Sequence, residues 1–153
     1  MSEWYLKPAK GLDAAARVLA VQHQGQLTKP PGSLGRLENC AIDLCAMQGT
    51  NKPHIDAPLI VIFAGDHGIV EDGVSAYPQA VTAQMVRNFA SGGAAISVLA
   101  NLLGARFQVV NCGTVLPLEE LAGVQDYRIA AGTRNFAREA AMSEQQLHTA
   151  LKI

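Results

Sequence analysis

The run Pro58-Leu59-Ile60-Val61-Ile62-Phe63-Ala64 constrains this chain most. It is apolar, rich in β-branched residues, and breaks at once into Gly65-Asp66-His67-Gly68-Ile69. Such a run predicts a strand buried on both faces, as in a parallel sheet. Open α/β sheets place their ligands outside the carboxyl ends of their strands. Asp66, His67 and the loop up to Tyr77 are therefore the first candidates for function. The flanking glycines permit close backbone approach.

Downstream residues predict a crossover. Pro78 suits the first turn of a helix running to about Phe89, with Val81, Met85 and Phe89 at fourfold spacing. That stripe reads more readily as core than as a ligand wall. Ser91-Gly92-Gly93 interrupts the helix, a second covers Ala94 to Leu103, and Gly104 ends it as a left-handed cap. Arg106 to Asn111 reads as a second strand. Strand, helices and strand imply parallel pairing. Cys112-Gly113-Thr114 then falls on the same sheet edge as Asp66 and His67. Beyond it, Leu118 to Ala122 suggests a helical turn, Asp126 to Ile129 a short third strand, and Gly132 to Asn135 a polar loop. Ser143 and Gln146 form a capping box for a last helix.

Upstream, Met1 to Gly11 reads as a short arm. Asp13 caps a helix to about His23 that carries Ala14, Val18 and Val21. Pro30-Pro31-Gly32 forces a turn, and Ser33 is placed to cap a helix over Leu34 to Gln48, with Leu34, Leu37, Ala41 and Leu44 on one face. Gly49 to Pro53 ends that helix. The organisation expected is a helical segment over residues 1–50 and an α/β segment over 51–153. Lys29 and Arg36 read either as a basic pair near a ligand anion or as solvated charges flanking a rigid loop.

Composition excludes several classes. At 49% hydrophobic and 16% charged, the 153 residues are too apolar for disorder. A formal net charge of -1, with no basic patch, speaks against nucleic acid. No apolar run approaches the roughly 20 residues of a membrane span. Met1-Ser2-Glu3-Trp4 is not a basic-then-apolar leader, so a cytoplasmic protein with reduced Cys40, Cys45 and Cys112 is expected. No second His or Cys stands at metal-ligand spacing near His67, and no cofactor motif is found. Asp66 and His67 read as a polar pair holding a ligand, as loop-pinning groups, or, least favoured, as the acid–base pair of a small hydrolase.

Two longer motifs carry a resemblance. Leu27-Thr28-Lys29-Pro30-Pro31-Gly32-Ser33-Leu34-Gly35-Arg36-Leu37-Glu38 is one. The other is Phe63-Ala64-Gly65-Asp66-His67-Gly68-Ile69 followed by Gly73-Val74-Ser75-Ala76-Tyr77-Pro78-Gln79. In this order and spacing they resemble the nicotinate-nucleotide–dimethylbenzimidazole phosphoribosyltransferase family, over about Leu27 to Leu151. The resemblance implies a Rossmann-like α/β fold, a smaller helical domain and a homodimer. It implies transfer of phosphoribose from nicotinate mononucleotide to 5,6-dimethylbenzimidazole, giving α-ribazole 5'-phosphate in cobalamin biosynthesis. It places Asp66, His67, Ser75, Tyr77, Gln79, Gln84 and Met85 at or near the aromatic-base pocket. Family members are roughly twice this length, with the carboxylate general base in the second half, so no catalytic residue maps onto this chain. The expectation is therefore an N-terminal half, with an incomplete sheet, inactive alone and associating through the Leu59–Ala64 or Arg106–Asn111 edges. The alternative is a non-catalytic module that binds an aromatic base or nucleotide.

Overall fold

The computed structural model describes residues 4–153, so the expected N-terminal arm begins outside the described residues. The chain divides into two units, Met1–Asp56 and Ala57–Ile153.

The first unit holds a short 3-10 turn (Trp4–Leu6) and two helices, α1 (Ala14–Gln26) and α2 (Arg36–Gln48). Asp13 caps α1, accepting from the Ala16 N–H at 2.8 Å, and the Asp13 N–H donates to the Ala46 carbonyl at 2.9 Å. The packed faces are small. Ala16, Ala20, Cys45 and Ala46 are buried, whereas Val18, Val21, Leu34 and Leu37 are exposed. The larger apolar residues thus lie off the face that the two helices share. α2 starts later than Ser33 predicts, because Gly35, with φ at 54°, takes the cap position without a side-chain hydrogen bond. Cys40 is exposed, whereas Cys45 is buried. Lys29 Nζ donates to Glu38 Oε1 at 2.6 Å. That bond, with the Leu34 N–H on the same carboxylate, holds the Glu38 carboxyl below its ordinary range. Lys29 is thereby engaged within the turn, while Arg36 is exposed.

The second unit is a three-stranded parallel sheet in the order β1-β2-β3. Its strands are β1 (Leu59–Gly65), β2 (Arg106–Gly113) and β3 (Val124–Asp126). Helices α3 (Ala80–Ala90) and α4 (Ala95–Leu102) fill the β1–β2 crossover, and α5 (Glu144–Ala150) follows β3. Gly104 ends α4 as expected, with φ at 61° and the Ala105 N–H donating back to the Ala100 carbonyl. The capping box at Ser143 and Gln146 forms.

Four expectations for this unit need correction. β1 is an edge strand, not one buried on both faces, and Phe63 is 67% exposed. β2 is central, and β3 covers its far edge over Val109, Val110 and Asn111. The third strand is Val124–Asp126 rather than Asp126 to Ile129. Val124 packs on the core, and Arg128 is drawn off the ladder to donate to the Thr114 and Val115 carbonyls. Leu118 to Ala122 forms no helix; Leu118 and Leu121 pack directly onto the core instead.

That core is built on Ala64, Val86 and Val109, with Ile62, Phe89 and Phe107 against them. At the carboxyl end of β2, the fully buried Asn111 side chain accepts from the Gly113 and Thr114 N–H groups and donates to Asp126. It satisfies backbone donors that a turn inside the fold would otherwise leave unpaired.

Candidate functional site

Two clefts open at the carboxyl end of the sheet, and they share Gly65 and Asp66. The smaller, of 370 Å³, lies between β1 and the start of α3. Phe63, Val81, Met85 and Phe89 give it apolar walls; Ser75, Tyr77, Gln79 and Thr82 supply its polar groups. Aromatic residues make up 5% of the chain, yet Phe63, Tyr77 and Phe89 all line this cleft. Tyr77 is 71% exposed. An exposed aromatic at the edge of a concave apolar wall is a surface on which a planar ring stacks.

Local hydrogen bonds shape this loop. Ser75 Oγ donates to the Tyr77 carbonyl at 3.0 Å and accepts from the Tyr77 N–H at 3.2 Å. That ST-type turn sets the approach of Tyr77 to Pro78. Gln79 Nε2 donates to the His67 carbonyl at 3.2 Å, tying the start of α3 to the end of β1. Of the Val81, Met85 and Phe89 stripe, Val81 and Met85 line the cleft, Phe89 lines its end while also packing on the core beside Phe107, and α3 buries Ala83 and Val86. Periodicity identifies that stripe but not which of two apolar environments it meets.

The larger cleft, of 760 Å³, is lined by residues after β1, β2 and β3 and by α5. His67 lies here with Cys112, Thr133, Arg134 and Gln146. Its Nδ1 is 3.2 Å from Thr133 Oγ1, and its ring meets Phe136 edge-on at 6.4 Å. Burial raises the Cys112 thiol pKa, so it stays protonated. Among the described residues, no group of three or more His, Cys, Asp or Glu is arranged to hold a metal ion.

Asp66 stands between the clefts and, among the described residues, is the one carboxylate lining either of them. It is 5% exposed. Oδ1 accepts from Thr82 Oγ1 at 2.6 Å and Oδ2 accepts from the Val115 N–H at 2.7 Å. Its main chain donates to the Gly113 carbonyl and accepts from the Thr133 N–H.

A family profile described as "Phosphoribosyltransferase" matches residues 9–153. The chain belongs to this phosphoribosyltransferase family. It is 55% identical over 149 residues to the nicotinate-nucleotide–dimethylbenzimidazole phosphoribosyltransferase of Pseudomonas putida (strain W619), covering 97% of this chain and 42% of that protein. It is 57% identical over 145 residues to the enzyme of the same name from Ectopseudomonas mendocina (strain ymp), covering 95% and 41%. A crystal structure of the phosphoribosyltransferase so named from Thermus thermophilus matches with a TM-score of 0.79 and 41% identity, over 91% of this chain and 42% of that one. The chain thus spans about two fifths of the length of these relatives. The α/β fold and the family read from the two motifs both hold.

In this chain the smaller cleft gathers Asp66, Ser75, Tyr77, Gln79 and Met85. His67 faces the larger cleft, and Gln84 is exposed and lines neither. Phe63, Val81, Thr82 and Phe89 are wall residues that sequence reasoning does not assign to a ligand. Phe63 reads as strand core in the sequence, and only its place at the end of an apolar run, close to Gly65, hints otherwise.

Proposed function

We propose that this chain supplies the aromatic-base site of a phosphoribosyltransferase. The reaction moves phosphoribose from nicotinate mononucleotide to 5,6-dimethylbenzimidazole, giving α-ribazole 5'-phosphate for the cobalamin nucleotide loop. The observation that carries this reading is the small cleft, where apolar walls and an exposed tyrosine meet the carboxyl end of β1. A benzimidazole ring nitrogen attacks the anomeric carbon of the nucleotide, nicotinate departs with the bonding pair, and the ring N–H proton passes to a carboxylate base. The protein's contribution is to orient the two rings and hold the phosphate.

The state of Asp66 favours a second element of the proposal. Both oxygens of the one carboxylate in the clefts are committed to internal donors. A general base must present a lone pair to the ring N–H, and a carboxylate 5% exposed with a donor seated on each oxygen is poorly placed to do so. The 153 residues therefore bind the base but do not turn it over by themselves, which joins the enzyme reading to that of a binding module. In the whole enzyme we place residues 1–50 in a smaller helical domain and 51–153 in the first part of the α/β domain, and we expect a cytoplasmic homodimer. The open edge of β1 and the exposed Val98, Leu102 and Leu103 on and beside α4 support self-association.

The test is a titration of 5,6-dimethylbenzimidazole into the purified chain, followed by incubation with nicotinate mononucleotide. Saturable binding, weakened about tenfold by Tyr77→Ala, with no α-ribazole 5'-phosphate formed, is the expected result. Turnover by this chain would overturn the second element and make Asp66, Glu71 and Asp72 the first candidates for the base.

A further inference from the structure

We propose that Asp66 is a positioning residue that couples the two clefts, rather than a group that touches the base. The proposal rests on the reading of the smaller cleft as the base site.

Asp66 gathers four structural elements at one buried point. Its Oδ1 takes the hydroxyl of Thr82, in the first turn of α3 and beside the wall residue Val81. Its Oδ2 takes the Val115 N–H, in the loop that follows β2. Its carbonyl takes the Thr133 N–H and its own N–H donates to Gly113, both in the lining of the larger cleft. Glycine at their contacts lets the loops close this far. A Cβ on Gly132 would lie 3.2 Å from the Asp66 carbonyl oxygen, and one on Gly113 would lie 2.9 Å from the Ala130 carbonyl oxygen. A short, rigid carboxylate accepting from a donor on each side fixes the distance between α3 and the post-β2 loop. Charge-assisted bonds of this kind are short and strong, and a buried carboxylate that lost one of them would be left under-satisfied.

The chemistry of the two donors sets the test. The Thr82 hydroxyl can reverse its role and accept, but the Val115 N–H can only donate. Asp66→Asn therefore keeps both contacts, with its carbonyl oxygen on Val115 and its amide on Thr82. Thr82→Val removes one contact while keeping the side chain's shape, and Thr82→Ser restores the hydroxyl. Thr82→Ser should recover most of the dimethylbenzimidazole affinity that Thr82→Val loses, and Asp66→Asn should retain more of it than Thr82→Val does. Thr82→Val should bind it about tenfold more weakly, the scale of one charge-assisted bond.

Amide hydrogen exchange supplies a readout independent of ligand. Thr82→Val, on the small-cleft side, should speed exchange of the Val115 and Thr133 amides about tenfold, with Thr82→Ser restoring protection. Unchanged exchange at those amides in Thr82→Val overturns the proposal. So does an Asp66→Asn variant that folds and loses base binding, because that marks Asp66 as a direct contact. A Thr82→Val variant with a lower Tm and unaltered base affinity reduces the pair to a stabilising contact and also overturns it. Failure of wild type to bind the base refutes the functional reading alone, and the exchange result then decides this one.

Discussion

Gly68 shows how narrowly single residues set this site. A Cβ there would lie 2.7 Å from the Arg134 carbonyl carbon and the Asn135 nitrogen, and 2.8 Å from the Thr133 carbonyl oxygen. All three are backbone atoms, so nothing can swing aside. A Cβ on Gly93 would lie only 2.3 Å from Asn88 Oδ1, but that is the end of a side chain that can rotate away. Gly68→Ala should cost about 1–3 kcal/mol, as overpacking typically does, and Gly93→Ala clearly less. Thermal unfolding of the two variants side by side checks this, and equal losses would contradict the close backbone approach at Gly68. The sequence makes both glycines visible but not the reason for either. Gly68 serves a contact with a loop far along the chain, which no local pattern encodes. Asp66 and His67 read as a pair for the same reason. They are adjacent in the chain, yet the carboxylate is buried against Thr82 and Val115 while the imidazole points to Thr133 and Phe136.

Among elements, those with strong local signals are legible. The β1 run, the α3–α4 crossover, the Gly104 cap and the Ser143 capping box all follow from residues within a few positions of one another. β3 lies earlier than its sequence suggests because so short a strand carries too little periodicity to be placed; pairing of Asn111 with Asp126 places it instead. The wall of the small cleft is half legible. Ser75, Tyr77 and Gln79 come from the motif and Met85 from its neighbourhood, whereas Val81, Thr82 and Phe89 depend on which way α3 is turned.

The α3 surface also carries a test of acid stability. Arg87 binds Glu119 through Nε and Nη2, both at 2.7 Å, which fastens the segment after β2 to α3. Those bonds bring the Glu119 pKa from 4.5 down to about 2. A carboxylate whose pKa is depressed on folding stabilises the fold above its unfolded value. That stabilisation fades as pH falls from 4.5 towards 2. Glu119→Gln should therefore lower Tm at neutral pH and flatten the fall of Tm across that window. Both partners are exposed, so the difference should shrink in high salt. An acid limb identical in the two proteins would contradict the assignment. Asp72 acts in the same direction, its carboxyl held low first by the Asn135 amide and then by Arg138.

For the whole molecule, the decisive feature is apolar surface left in water. β1 presents an unpaired edge. Val98, Leu99, Leu102 and Leu103 stand exposed on and beside α4. Exposed strand edges and contiguous apolar patches associate. Sedimentation at micromolar concentration should show a dimer or larger species, and Leu102→Lys with Leu103→Lys should shift it towards monomer. A wild-type chain that stays monomeric would contradict this. The family and the α/β class are legible because two long motifs in order are specific. The edge position of β1 is not, since a run such as Leu59 to Ala64 reads the same whether neighbours lie on one side or both.

The central claim is that the cleft between β1 and α3 receives an aromatic base. The most direct measurement is a map of backbone amide shifts in this chain as 5,6-dimethylbenzimidazole is added. Saturable shifts should centre on Phe63, Ser75, Tyr77 and Met85, with smaller ones across Asp66 at Val115. Shifts centred on the larger cleft around Thr133 and Gln146, or no saturable shifts at all, would contradict it.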